Sequence, residues 1–326
     1  MSSTTWYELD QDAVIEAVES LGFLSDLRVF PLNSYENRVW QVGIEDDTPI
    51  IAKFYRPNRW TTAQIEQELA FTEALRDSDV GVAAPLKING KHLHQFKQFR
   101  FSLFERRGGH APELDNFDHL DQLGISIAQI HNIGRHVDLS LRESIKDARR
   151  ARWAIEEIKN GDWLAPEYRN NWLDSAQRIA DAIDQSFELV GPDLTPTHGD
   201  CHVGNILWRD GKATFVDFDD CVNAPAIYDL WMFLSGDRAD QTAQLDALVD
   251  QYESLCEFDR REIALITPMR AMRQLHQCGW LASRWDDPAF PMHFTWFNTP
   301  RYWGEQVNNL RQLEHELSLP SISLMG

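Results

Sequence analysis

The first hundred residues alternate between short apolar runs and polar turns, which is typical of a small β-sheet. Residues Arg38 to Ile44 place Trp40, Val42 and Ile44 on one face of an extended segment, because successive side chains of a strand point to opposite faces. The alternation predicts an antiparallel sheet in this part of the chain. The other predicted strands are Arg28–Leu32, Ile50–Tyr55 and Phe99–Phe104.

Helical periodicity accompanies these strands and then dominates the rest of the chain. Ala13 to Leu21 predict a short helix, and Arg59 to Arg76 predict a longer one that Thr61 or Thr62 caps. A short β segment interrupts the helices of the second part. The helices predicted there are a stripe from Leu120 to Ile130, Ser144–Lys159, Glu167–Phe187, Ala226–Leu234, Thr242–Tyr252 and Arg260–Trp285.

The order of these elements predicts an α+β protein with two lobes. The polar, glycine-bearing segment from Glu105 to Gly109 separates the sheet from the helical part, and domain boundaries commonly fall in such segments. We therefore predict an N-terminal lobe over residues 1–105, with one main helix, and a larger, mainly helical lobe over residues 106–326.

The charge of the chain narrows its possible partners. A formal net charge of −20 over 326 residues argues against a nucleic-acid surface, which needs a basic stripe, and opposes binding to anionic membranes. We therefore expect neither nucleic acid nor membrane as a partner. The acidic balance is compatible with a cationic or neutral substrate.

Targeting signals and cysteine spacing point to the cytoplasm. Met1 to Asp10 contains neither a basic nor an apolar region, so we expect no signal peptide. The four cysteines show no CxxC or metal-like spacing, which suits a reducing compartment.

Three polar residues have the order that magnesium-dependent phosphoryl transfer requires. Asn205 lies five residues after Asp200, and Asp217 lies twelve residues further on an apolar run. Protein kinases use the same Asp-to-Asn spacing. Asp200 is the candidate catalytic base, while Asn205 and Asp217 are candidate Mg²⁺ ligands because Mg²⁺ takes few protein oxygens. Asp217 is also counted as catalytic, because the metal it holds neutralises charge on the nucleotide phosphates.

Each of these residues also has a simpler interpretation. An aspartate in a His-Gly-Asp turn often bonds its own backbone, and an asparagine in a loop needs no metal. The coincidence of all three in register favours the catalytic interpretation. For Asp219, support of a second metal and formation of a turn remain equally open, and Asp217 and Asp219 share a face only if the segment stays extended.

Candidates for the nucleotide site lie in the N-terminal lobe. Lys53 is the single charge in an apolar strand, where it needs an anionic partner such as the ATP phosphates and a helix glutamate. Glu68 is preferred to Glu66 for that glutamate, because Glu68 lies on the apolar side of its helix. Ser34, in a turn without glycines, is a candidate phosphate contact. Glu105 at the lobe boundary completes the set.

The C-terminal part is unusually rich in aromatic residues. This cluster either lines a substrate groove or forms a core, and the sequence leaves both open. Its members are Trp280, Trp285, Phe290, Trp296, Phe297 and Trp303.

The motif His198-Gly199-Asp200-x-His202-x-x-Asn205 with Asp217-Phe218-Asp219 resembles the catalytic signature of the aminoglycoside phosphotransferase and choline kinase family. The similarity includes Lys53 and Glu68. This resemblance implies the two-lobed protein-kinase-like fold, with ATP and Mg²⁺ bound between catalytic groups. The absence of a glycine-rich loop and of an Ala-Pro-Glu segment distinguishes the chain from protein kinases in general.

Longer segments resemble one bacterial branch of that family, the stress response kinases. Pro31–Val39, Lys53–Pro57, Gly204–Gly211 and Trp285–Pro291 carry this similarity over residues 31 to 291. It implies a cytoplasmic, ATP- and Mg²⁺-dependent serine/threonine protein kinase that autophosphorylates and acts in stressed cells. The implied partner is a protein with a serine or threonine hydroxyl, and we expect a monomer.

By the same resemblance, Asp200 is the proton acceptor, Asn205 and Asp217 hold magnesium, and Ser34 touches ATP. Two other functions stay open. One is a kinase of the same fold that phosphorylates an amino alcohol or an aminoglycoside-like compound. The other is a pseudokinase that binds nucleotide and serves as an interaction module, although the full set of catalytic polar residues argues against it.

Overall fold

A five-stranded antiparallel sheet dominates the N-terminal part of the computed structural model, which describes residue 6 and residues 9–324. The order of its strands is β1-β2-β3-β5-β4. The elements of this part are α1 (Gln11–Glu19), β1 (Ser25–Leu32), β2 (Arg38–Ile44), β3 (Ile50–Phe54), α2 (Thr62–Asp77), β4 (His94–Phe96) and β5 (Phe99–Glu105).

The core of this sheet lies on the face that the alternation of apolar and polar residues predicts. Val42, Ala52 and Leu103 are fully buried, and α1 packs on the same cluster. Strand β3 is central, because Lys53 pairs with Val39 of β2 and with Ser102 of β5. Lys53 therefore lies on a strand that is paired on both sides. The short strand β4 escaped the sequence pattern, since three residues are too few for a visible period.

Helix α2 begins with a capping box. The Thr61 hydroxyl accepts from the Gln64 backbone N–H at 3.2 Å, and Gln64 Oε1 accepts from the Thr61 N–H at 2.9 Å. The helix thus starts at Thr62, three residues later than predicted. Arg59 consequently lies in the connection between β3 and α2, where its side chain reaches other loops.

The remainder is mainly helical, as the pattern predicts, and the single predicted β segment is replaced by two short strand pairs. Strands β6 and β9 pair with each other, as do β7 and β8. The elements are α3 (Phe117–Gly134), α4 (Arg149–Asn160), α5 (Pro166–Val190), β6 (Thr195–Thr197), β7 (Ile206–Arg209), β8 (Lys212–Phe215), β9 (Val222–Ala224), α6 (Ile227–Leu230), α7 (Arg238–Tyr252), α8 (Ile266–Ser283), α9 (Ala289–His293) and α10 (Pro300–Ser318).

Helix α10 was not predicted and is the largest correction to the secondary structure. Thr299 caps it and Pro300 occupies its first turn, both of which are ordinary start signals. Its buried residues Trp303, Val307 and Leu310 also recur every three or four positions, which is a helical period. Trp303 of α10 is 1% exposed and meets Trp172 of α5 edge to face at 6.0 Å.

The aromatic cluster contributes largely to the core. Phe290, Phe297 and Trp303 are buried, whereas Trp296 is 44% exposed. The buried members pack on one another at centroid distances such as 5.8 Å between Phe297 and Trp303. A core therefore accounts for the buried members without a ligand.

The chain divides into two compact units. The first contains the described residues up to Glu143 together with Thr195–Asn223 and Ala247–Glu257. The second contains Ser144–Leu194, Ala224–Asp246 and the described residues from Phe258 onward. All candidate site residues belong to the first unit. The boundary between residues 105 and 106, and the roles assigned to its two sides, stay predictions.

Among residues 9–324, no helix has both the length and the apolar character that crossing a bilayer requires.

Candidate active site

The loop after β6 is built around His198, which is fully buried. Its Nε2 lies 2.8 Å from the Val216 carbonyl oxygen, and its Nδ1 accepts from the Asp200 backbone N–H at 3.3 Å. These partners assign the neutral ring with the proton on Nε2. His198 therefore joins the backbone next to Asp200 to the backbone next to Asp217.

Asp200 and Asn205 lie side by side in this loop. The Asn205 side-chain nitrogen donates to the Asp200 carbonyl oxygen at 2.9 Å and lies 3.5 Å from Asp200 Oδ2. His202 Nε2 lies 3.4 Å from the same Oδ2, and its Nδ1 accepts from the Gly204 N–H. Both contacts fall on one carboxylate oxygen, which orients Asp200 while 26% of its side chain stays exposed.

Asp217 follows β8 and has a left-handed backbone with φ of 61°. That conformation costs a non-glycine residue about 1–2 kcal/mol, and such strain clusters at functional sites. A 3₁₀-helix over Phe218–Asp220 follows, so the segment is not extended. Asp217 and Asp219 nevertheless meet at one partner, because both contact the Lys53 ammonium.

Gly199 allows the two loops to touch. Its φ is +85°, and a Cβ at this position would overlap the Asp220 carbonyl oxygen. Only glycine combines this backbone angle with so close an approach. The segments that carry Asp200 and Asp217 are therefore packed backbone to backbone within the first unit.

Lys53 lies at the centre of the charged residues. Its Nζ is 3.1 Å from Glu68 Oε1, 3.0 Å from Asp217 Oδ1 and 3.3 Å from Asp219 Oδ1. Although burial acts to lower the pKa of Lys53, Asp217, Asp219 and Glu68 together raise it well above its ordinary value. Lys53 is therefore a permanent cation beside the candidate metal ligand.

The structure separates the two helix glutamates. Glu68 is 2% exposed and contacts Lys53, whereas Glu66 is exposed on the same helix. Burial raises the pKa of Glu68 to about 7, against the opposing effect of Lys53. Glu68 Oε2 is buried without a hydrogen-bond partner among the described residues, which is consistent with the cost of holding this carboxylate charged.

Asp219 is a buried anion inside a cage of cations. Arg59 Nη1 pairs with its Oδ2, and Arg142 Nη2 donates to its carbonyl oxygen. Burial acts to raise the pKa of Asp219, but Lys53, Arg59 and Arg142 lower it below its ordinary range. With 3% of its side chain exposed, Asp219 holds the loop rather than facing an open metal position.

Arg59 and Arg142 are site residues that the sequence did not reveal. Arg142 is 3% exposed, and its Nε donates to the Cys221 carbonyl oxygen at 3.0 Å. Neither arginine belongs to a short motif, and their partners lie far along the chain. The local signal was limited to the position of Arg59 three residues before α2.

Ser34 and Glu105 are the two remaining candidates for contact with the nucleotide. Ser34 is half-buried in the loop between β1 and β2. Glu105, the last residue of β5, is 60% exposed and its carboxylate lies 2.7 Å from Arg107 Nη2. Their contacts with nucleotide, like the assigned roles of Asp200, Asn205, Asp217 and Lys53, stay predictions.

Residues 28–266 match the model of the phosphotransferase enzyme family. The chain belongs to that family. The family resemblance inferred from the His-Gly-Asp motif is thereby confirmed, and the protein is a phosphotransferase.

Curated relatives of this phosphotransferase match nearly its whole length. Stress response kinase A of Escherichia coli (strain K12) is 38% identical over 331 residues, covering 99% of this chain and 98% of its own. Serine/threonine protein kinase RdoA of Salmonella typhimurium is 37% identical over 320 residues, covering 98% of this chain and 97% of its own. The resemblance to stress response kinases is confirmed.

Solved structures confirm the kinase-like fold. The amicoumacin kinase hAmiN complex with AMP-PNP and Ca²⁺ has a TM-score of 0.75 at 18% identity, covering 99% of this chain and 98% of its own. A microcompartment-associated aminopropanol kinase has a TM-score of 0.71 at 18% identity, covering 95% and 99%. At this identity the likeness shows the fold alone.

Proposed function

We propose that this phosphotransferase is an ATP- and Mg²⁺-dependent serine/threonine protein kinase of the cytoplasm. It phosphorylates itself and a protein partner, works as a monomer, and takes part in a bacterial stress response. The observation that carries the proposal is the contact of Lys53 with both Glu68 and Asp217, within the unit that holds Asp200 and Asn205. Full-length similarity to named protein kinases supports the choice of a protein substrate.

The residues divide the work of phosphoryl transfer among them. Asp200 orients the serine or threonine hydroxyl and accepts its proton as the oxygen bonds to the γ-phosphorus of ATP. The bond from that phosphorus to the β–γ bridging oxygen breaks, and ADP leaves with the bond electrons. Lys53 binds the α- and β-phosphates and Glu68 holds Lys53 in place. Such catalysis depends on positioning and on charge neutralisation.

The donor set fits Mg²⁺. Asn205 uses its side-chain nitrogen on Asp200, which leaves its amide oxygen available, and 49% of the Asp217 side chain is exposed. An amide and a carboxylate suit an ion that prefers oxygen ligands and keeps several waters and phosphate oxygens. When bound, Mg²⁺ neutralises charge on the phosphates of ATP. Asn205 and Asp217 would hold it.

The charges of the cluster are consistent with this proposal. Lys53, Arg56, Arg59 and Arg142 face the carboxylates of Glu36, Glu68, Asp217, Asp219 and Asp220. These cations and carboxylates largely offset one another, so a divalent cation bound beside Asp217 would add positive charge that favours a polyphosphate.

Incubation with γ-labelled ATP tests the proposal directly. We expect label on the protein itself when Mg²⁺ is present, and loss of at least a hundredfold in Asp200→Asn and Asp217→Asn. Asp210→Asn is the matched control, because Asp210 is 88% exposed in the β7–β8 turn. Undiminished labelling of both folded site variants would remove the assigned roles. Mapping of the labelled residue identifies the autophosphorylation site.

A small-molecule kinase is the second candidate. The geometry around Asp200 suits any approaching hydroxyl, and two of the similar folds belong to kinases named for amicoumacin and aminopropanol. Adding cell extract to the labelled reaction separates the two functions. Label on protein bands supports the proposal, whereas label that passes through dialysis supports the alternative. Nucleotide binding without any transfer would indicate a pseudokinase.

A further inference from the structure

The loop of residues 33–37 is held by side chains rather than shaped by glycines. No glycine occurs between Gly22 and Gly43. Arg56 Nε donates to the Glu36 carbonyl oxygen at 2.7 Å, and its Nη2 donates to the Tyr35 carbonyl oxygen at 2.9 Å. The conformation of this loop between β1 and β2 therefore depends on the connection between β3 and α2.

Asn37 ends the loop and strengthens that dependence. It is 4% exposed, and its Oδ1 accepts from the Arg56 backbone N–H at 3.1 Å. Its side chain also hydrogen-bonds Asp219. A buried amide with partners on two other segments fixes all of them, because leaving any of its polar atoms unpaired away from water is costly.

Arg59 extends the connection to residues 217–220. Its Nη1 pairs with Asp219 and its Nη2 lies 2.6 Å from Asp220 Oδ1, while its Nε lies 3.6 Å from Glu36 Oε2. One guanidinium with 13% exposure thus touches carboxylates from both loops. The rigid fork of an arginine can serve several acceptors at once, whereas a lysine ammonium acts as a single point charge.

We propose that Arg59 is a positioning residue that couples loop 33–37 to segment 217–220, so that the phosphate-covering loop and the metal-binding carboxylate move as one unit. The inference rests on the proposed function, because it assumes that ATP binds at this site. In other kinases a glycine-rich loop covers the phosphates of ATP. Here Arg59 would hold loop 33–37 in place before the nucleotide binds, so that binding need not order the loop.

This coupling makes a prediction about which part of the nucleotide is affected. Loop 33–37 and Asp217 act on the phosphates, so weakening the link lowers affinity for a triphosphate and leaves affinity for AMP nearly unchanged. If Arg59 had only a structural role, its replacement would lower the affinities for the triphosphate and for AMP by the same factor. The ratio of the two dissociation constants therefore distinguishes positioning from general loss of structure.

Binding of AMP-PNP with Mg²⁺ and of AMP, measured by calorimetry, provides the test. In Arg59→Lys and in Glu36→Gln we expect affinity for AMP-PNP to fall about tenfold, a typical coupling between sites, while affinity for AMP changes by less than about threefold. The double variant should lose less than the product of the two single losses, since both changes break one link. Arg76→Gln, an exposed arginine near the end of α2, is the control.

The outcomes separate this inference from the proposed function. Equal losses for AMP-PNP and AMP, or no loss in either variant, would overturn the role of Arg59 while wild-type binding and transfer keep the proposed function. Failure of the wild-type protein to bind AMP-PNP would overturn both. Glu36 Oε2 also lies 3.4 Å from Arg56 Nε, so Glu36→Gln weakens the attachment of loop 33–37 as a whole. It tests the coupling of that loop to triphosphate binding even if Arg59→Lys does not fold.

Discussion

Lys53 Nζ lies 3.0 Å from Asp217 Oδ1, although 164 positions separate the two residues. Lys53 comes from the centre of the five-stranded sheet, and Asp217 from the left-handed residue after β8. The contact makes the site a product of distant segments that fold into one unit. Glu68 holds the same ammonium from α2 at 3.1 Å, so the lysine joins the helix to the catalytic segments.

Replacement of Lys53 tests this junction. In Lys53→Met we expect phosphoryl transfer to fall at least a hundredfold, because the cation for the phosphates is lost. We also expect the free energy of unfolding to drop by about 1–3 kcal/mol, because the buried Glu68 loses its cation and must take up a proton instead. Activity assays and denaturant titrations measure the two effects.

The double variant Lys53→Met with Glu68→Gln separates these effects. Removing the uncompensated carboxylate should restore part of the lost stability but none of the activity. Lys87→Met serves as the control, since this lysine is 54% exposed and should change stability by less than about 0.5 kcal/mol. If the double variant is as unstable as the single one, Glu68 is not the source of the loss.

Gly199→Ala tests the contact between the two catalytic segments. The added methyl group would overlap the Asp220 carbonyl oxygen, and the backbone φ of +85° disfavours any residue with a Cβ. We therefore expect the free energy of unfolding to fall by about 2–4 kcal/mol and phosphoryl transfer to fall as well. Gly211→Ala is the matched control, because Gly211 has φ of +74° but open space around it. Thermal unfolding measures the stability of both variants. Equal losses of stability in Gly199→Ala and Gly211→Ala would mean that backbone strain, and not the contact with Asp220, causes the loss.

The raised pKa of Glu262 predicts that the stability of the second unit depends on pH. It is 3% exposed, accepts from the Ile227 N–H at 3.0 Å, and burial raises its pKa to about 7. The folded protein then binds a proton more tightly than the unfolded chain between about pH 4.5 and 7, so stability falls as pH rises through that window. The contribution is about 3 kcal/mol at 1.36 kcal/mol per pKa unit.

The comparison of wild type with Glu262→Gln isolates this group. Relative to Glu262→Gln, the wild type should lose unfolding free energy as the pH rises from about 4.5 to 7. Above about pH 8, the difference between the two proteins should no longer change with pH. Glu167→Gln, at an exposed position of α5, supplies the control. A difference that does not vary with pH would contradict the raised pKa of Glu262.

Thr61→Ala removes the cap of α2. Loss of the bond from the Gln64 N–H should lower stability by about 1 kcal/mol, and Thr61→Ser should retain most of it because it keeps the hydroxyl. Since α2 carries Glu68, the alanine variant should also lower phosphoryl transfer modestly. Urea unfolding and initial rates measure these changes. Equal stability of the alanine and serine variants would exclude the capping role.

Much of the fold was predictable because the relevant signals are local. Strand β2 was predicted with the bounds that the structure has, since alternation over seven residues is sufficient to identify a strand. Helix α10 was missed although its buried residues Trp303, Val307 and Leu310 recur at helical spacing. Strand β4 was missed because a strand of three residues is too short to show an alternating pattern.

The sequence by itself determined the chemistry of the site: an aspartate, an asparagine and a second aspartate in the order of a phosphoryl-transfer enzyme, with one lysine inside an apolar strand. Only the tertiary structure decided which charges meet. Arg59 reaches Asp219 across 160 positions, and Arg142 reaches the carbonyl oxygen of Asp219 across 77. Such pairings depend on how segments distant in the chain pack against each other, and no spacing within a motif encodes that packing.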